Sequence, residues 1–163
     1  MKKILNREMN IVALAGFALL FVFAFLPFVT DVVKNNYYLH DGIVKVDIYF
    51  FAGIAYAGIL FSLLNNGLGI ASCGAISAIM CFVERSALLA QKYPTGGDYS
   101  FKYGFFTDYL VKNVRDSQTQ EVVDIIKLPV YDLSVGAILM TLISLLLIVW
   151  GIISIFIKKN TKA

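Results

Sequence analysis

Charge, histidine and cysteine are all scarce in this chain of 163 residues: 15% of residues are charged, one is histidine and two are cysteine. The single histidine, His40, sits in the loop-like stretch YYLHDGIV with no serine or cysteine partner beside it. That gives no sign of a nucleophilic dyad or triad, and a solvated side chain is the expectation. Cys73 and Cys81 are eight residues apart. On one helix that spacing is about 12 Å along the axis, which excludes a mutual disulfide. With no histidine near them they also make a poor metal site. No cofactor, no metal and no nucleic acid is expected as a partner, and no enzyme activity is assigned, because intramembrane catalysis needs paired polar residues at depth.

What the chain has instead is apolar mass. Hydrophobic residues make up 59% of it, and its mean hydropathy is +0.76. Such a composition is too apolar for an ordinary soluble domain, and the lipid bilayer is the expected surroundings of most of the chain. Three tracts are long enough for a hydrocarbon core of about 30 Å, which takes roughly 20 helical residues. The middle one is too long for a single crossing and is interrupted by LLNNGLG, where Asn65, Asn66 and Gly67 suit a tight turn. A helical hairpin is therefore expected, since one long helix would leave two asparagines in hydrocarbon.

The expected fold class is an all-α membrane protein, a single domain over residues 1–163. It is a four-transmembrane-helix bundle with spans at 10–29, 48–64, 68–90 and 133–157, and a small extracytoplasmic cap over 91–131. The two ends of the chain, 1–9 and 158–163, carry a net charge of +5, against −1 for 30–47 and −1 for 84–132. Basic density assigns both termini to the cytoplasm of a multi-pass cell-membrane protein, which an even number of crossings permits. MKK before an apolar run begins like a signal peptide. The run is about twice the usual length and lacks a small-residue cleavage site, so an uncleaved first helix is expected.

Small residues mark the helix faces. Gly69, Cys73, Ser77 and Cys81 repeat every four residues on the third helix, with Gly67, Ala71, Ala75, Gly74 and Ala78 alongside, and Gly53, Ala57 and Phe61, with Gly58 beside them, make a shorter row on the second. Such spacing lets backbones approach closely in lipid, so the second and third helices are expected to pack along these rows, with a homo-oligomer as the other use of the same surface. Glu84 and Arg85, in FVERSALLA, lie about 26 Å up the third helix from Gly67. That depth makes them an interfacial charge pair rather than a mid-membrane site. Arg85 is expected to snorkel to the headgroups, and Glu84 to face the bundle and tie the helix to the cap.

The cap is rich in aromatics. Tyr99, Phe101, Tyr103, Phe105, Phe106 and Tyr109 form a candidate surface for another membrane or extracytoplasmic protein. Residence in the membrane interface is the plainer alternative. Two short helices are expected at 107–114 and 119–128, the latter ended by Pro129. YSFKYGFFTDY can also be a strand pairing with GIVKVDIY in the first loop.

The segment has no cysteine, which excludes the tetraspanin and claudin patterns. FLPFV at 25–29, an Asp-Gly pair before the second helix in HDGIVKVDIYFFAGIAYAGI, and VGAILMTLISLLLI in the last helix are more informative. In these the chain resembles small bacterial four-transmembrane-helix proteins of uncharacterised function. The resemblance implies a four-helix membrane fold and a cell-membrane location, and no activity. A non-enzymatic protein that binds a partner through its outer segment or helix faces, of accessory-subunit or self-protection type, is the expected function. A small oligomeric pore or transporter subunit is the alternative.

Overall fold

The computed structural model describes residues 9–31, 35–39, 48–92, 98–104 and 106–160. Four helices form within them: α1 (Ile11–Phe23), α2 (Ile48–Leu63), α3 (Gly67–Lys92) and α4 (Val135–Asn160). Five strands accompany them: β1 (Val29–Asp31), β2 (Asn36–Tyr37), β3 (Tyr99–Tyr103), β4 (Thr107–Arg115) and β5 (Val122–Leu133). The strands make one antiparallel sheet in the order β2-β1-β5-β4-β3. The protein is thus mixed α and β, and the all-α expectation is corrected.

The correction falls on the segment between α3 and α4. Residues 107–114 and 119–128, expected as helices, belong to β4 and β5 or the turn between them. Val111, Val114, Val122, Val123, Ile125 and Ile126 are β-branched, stiff at χ1 and suited to a pleated surface. Pairing then settles the matter, because β4 and β5 satisfy each other's backbone groups from Thr107↔Asp132 to Arg115↔Val122. β3 pairs with β4; of its other expected partner, 42–49, residues 42–47 lie outside the described residues, as does His40. The first loop joins the sheet elsewhere, as β1 pairs with the end of β5 at Val29↔Leu133.

Local chemistry explains the helix ends. Asn10 caps α1, its Oδ1 accepting the Ala13 N–H at 3.1 Å. α1 stops at Phe23, four residues before Pro27, whose ring would clash with the Phe23 carbonyl and which has no N–H to give. The apolar tract at 10–29 is therefore helical only to residue 23, and its end passes into β1. Asn65 adopts a left-handed φ of 48°. Asn66 then caps α3, accepting from Gly69 N–H at 3.2 Å.

α3 over Gly67–Ala87 and α4 over Val135–Lys158 are long and apolar enough to cross a membrane. α1 and α2, with 13 and 16 residues, are shorter. α3 packs on α4 at backbone contact. A Cβ on Gly74 would lie 2.9 Å from the Ser144 carbonyl oxygen, and one on Gly151 2.6 Å from the Ala71 nitrogen. Close packing of α3 is expected on α2, and α3 does meet α2 where Gly69 faces Phe61, but its main-chain contact is with α4. Its small face is Gly67, Ala71 and Gly74, where glycine lets main chains touch. Phe17, Leu20, Phe28, Phe51, Ile70 and Met140 fill the centre of the bundle and its junction with the sheet.

Candidate functional site

The sequence-marked charges lie where α3 meets the sheet, and the difference from expectation is in Arg85. Arg85 does not snorkel free: its Nε donates to Asp108 Oδ2 on β4 at 2.6 Å, and its Nη2 donates to Asp108 Oδ1 and to the Gly104 carbonyl. The guanidinium also lies 5.5 Å from the centre of the Tyr103 ring, which packs on Phe82 of α3 at 5.2 Å. Arg85 therefore makes the tie between helix and cap. Glu84 is buried to 1% exposure, because adjacent helix positions point about 100° apart and one of the two must turn into the bundle. A two-pronged arginine pair with a carbonyl as third acceptor fixes orientation as well as position.

The small-residue rows divide between neighbours. Gly69 faces the Phe61 ring of α2, and an added Cβ would lie 2.4 Å from it. Ser77 is fully buried, with its Oγ 2.9 Å from Ser144 Oγ on α4. Cys73 and Cys81 are buried free thiols. Ala57 is partly buried against the core. Gly53 is corrected: nothing lies within 4 Å of a Cβ placed there. The close glycine of α2 is Gly58, which meets Phe17 of α1, since Gly53 falls on the outward side of that helix.

The aromatic cluster is also divided. Tyr99, Phe101 and Tyr103 share one face of β3, opposite Lys112, Leu110 and Asp108 of β4. This face rests on α3 through Asp108 and Tyr103, and Phe101 and Leu110 join the core. Much of the cluster thus serves to seat the cap. Tyr99 and Tyr103 stay partly exposed, Phe106 is exposed, Tyr109 is half-buried, and Phe105 lies outside the described residues.

The largest exposed apolar group on the sheet is elsewhere, on β5. Val123 is 63% and Ile125 54% exposed, and Ile126 and Leu128 are exposed on the other face of the strand, paired with Lys112 and Leu110 of β4. The spacing in the sequence predicts these on a helix; the β-branching of Val122, Val123, Ile125 and Ile126 is the one local signal that points to a strand. Beyond the three residues that pair with β1, one edge of β5 carries no strand among the described residues. Asp124 Oδ1 accepts the Ile125 N–H at 2.7 Å, and Pro129 has no N–H to offer, so side chains rather than the open edge are the accessible feature. At the tip of the arm, Asp116 Oδ1 accepts from Gln118 N–H at 2.7 Å and Thr119 N–H at 3.0 Å. These two bonds stabilise the ionised carboxylate and hold it below the usual aspartate range.

Among the described residues no group of three or more histidine, cysteine, aspartate or glutamate side chains could hold a metal ion. Comparison with protein-family models, curated proteins and solved structures returns no match. The resemblance to small bacterial four-helix proteins consequently rests on its quoted motifs.

Proposed function

We propose that this chain is a multi-pass membrane protein that acts by binding, with the helices as anchor and the β4–β5 arm as the surface offered to an extracytoplasmic or membrane protein. The observation that carries this is the row of exposed apolar side chains on β5, chiefly Val123 and Ile125, on an arm held firmly at its base by Arg85 and Asp108. Exposed apolar side chains near the tip of a projecting arm are what an interaction site would use. Apolar helices and the basic residues at both ends of the chain support crossing with both termini in the cytoplasm. Binding is favoured over a pore because polar side chains of the helices are engaged within one chain: Ser77 with Ser144, and Asn10 with Trp150 and Ser154.

The test is a photoreactive residue placed at Ile125 in the full chain in native membranes, with the same residue at Lys102 on β3 as control. A discrete protein adduct at 125, absent at 102 and abolished by Val123→Asp, is expected. Equal labelling at both positions, or none at 125 in a stably folded protein, sinks the proposal.

A further inference from the structure

A groove of about 550 Å3 opens where the end of α1, the β1–β2 hairpin and the start of α4 converge, a size ordinary for a small-molecule site. Leu26, Val135 and Ile138 form its apolar floor, and Thr30, Asn36 and Ser134 its polar rim. The rim is organised: Thr30 donates to Asn36 Oδ1 at 2.9 Å, and the Thr30 and Ser134 hydroxyls lie 2.5 Å apart. With its oxygen so used, the Asn36 amide presents N–H donors. Main-chain bonds shape the site, Ser134 N–H donating to the Phe28 carbonyl at 3.1 Å and Gly136 N–H to the Pro27 carbonyl at 2.9 Å. The floor continues down α4 as exposed Leu142, Leu145 and Val149, spaced three or four residues apart and so on one helix face.

We propose that this groove holds one bilayer phospholipid, its ester level at Thr30, Asn36 and Ser134 and one acyl chain along α4. The inference rests on the membrane-spanning reading above. Three features select the occupant. The groove is continuous with the exposed apolar stripe of α4, its rim supplies hydrogen-bonding groups to oxygen-rich ester linkages, and no charged side chain lines it among the described residues. A neutral rim selects the glycerol-ester region over a bare phosphate, which would call for arginine or lysine.

The full chain is reconstituted in liposomes of phosphatidylethanolamine carrying a diazirine near the ester level, irradiated, and the labelled residues mapped by mass spectrometry. Label concentrated at Leu26, Val135 and Ile138 is expected, falling about five-fold in Asn36→Leu and in Thr30→Val, the effect of losing roughly one hydrogen bond. With the diazirine moved to mid-chain, label appears at Leu142 and Leu145 whether or not the rim is intact. Mid-chain label on α4 with ester-level label indifferent to both substitutions overturns the groove and leaves the membrane reading standing. Absence of mid-chain label overturns both. A dimeric mass with the groove unlabelled assigns it to a second copy and also overturns the proposal.

Discussion

Arg85 on α3 and Asp108 on β4 form a side-on, two-pronged pair in which the carboxylate is 1% and the arginine 14% exposed. Removing one partner of such a pair leaves a buried charge, which costs about 3–5 kcal/mol, whereas removing both is far milder. Arg85→Ala is therefore expected to lower the thermal unfolding midpoint in detergent markedly, and the Arg85→Ala, Asp108→Ala double variant less than the sum of the two. Strict additivity in that double-mutant cycle would show that the pair does not couple helix to sheet.

Gly74 and Ser77 test the α3–α4 contact in different ways. A side chain at Gly74 meets main-chain atoms of Ser144 and Ile148 within 3.0 Å, which can yield only if the helices separate. Gly74→Val is expected to cost about 1–3 kcal/mol. Ser77→Ala removes one interhelical contact and should cost about 0.6 kcal/mol. Denaturation in mixed micelles ranks the two, and the reverse order would contradict backbone contact at Gly74.

Asn10 joins three helices at the other end of the bundle. Its Oδ1 accepts from Trp150 Nε1 at 2.8 Å, its Nδ2 donates to Ser154 Oγ at 2.9 Å, and its main-chain N–H reaches the Ser62 carbonyl at 3.0 Å. Asn10→Ala loses a helix cap and two side-chain bonds, with an expected cost of about 1–3 kcal/mol. Trp150 is the chain's single tryptophan, so its fluorescence follows this junction specifically and should report loosening before the sheet does.

The Asp116 turn gives a pH dependence of known sign. Its carboxyl is held below the ordinary value by the Gln118 and Thr119 N–H groups. The folded turn thus favours the ionised form: its contribution is present above the usual aspartate range and is lost as pH falls through the lowered value. Hydrogen exchange at Gln118 and Thr119, corrected for intrinsic rates, is expected to lose protection on that descent. Asp116→Asn should remove the acid-dependent step.

Four apolar helices are legible in the sequence, because the apolar runs and the turn residues Asn65, Asn66 and Gly67 that divide the middle one are local properties of the chain. The cap is less so. Residues 119–128 offered apolar positions at a plausible helical spacing, and their β-branching alone could not overrule it. The main-chain contact of α3 with α4, beside its contact with α2, was not legible for a related reason: rows of small residues show which face can approach another helix, without saying which helix arrives.

By itself the sequence determined an apolar, helix-rich chain with basic ends and an aromatic segment between α3 and α4, since composition and short-range propensity suffice for those. Tertiary structure decided that the segment is a sheet. β1 reaches β5 across about a hundred residues of chain, and only such distant pairing satisfies the backbone groups of the extended form. It likewise decided that Arg85 serves Asp108, 23 residues onward. A charge near the end of a helix takes its partner from whatever the fold brings within reach, and here the fold brings a strand.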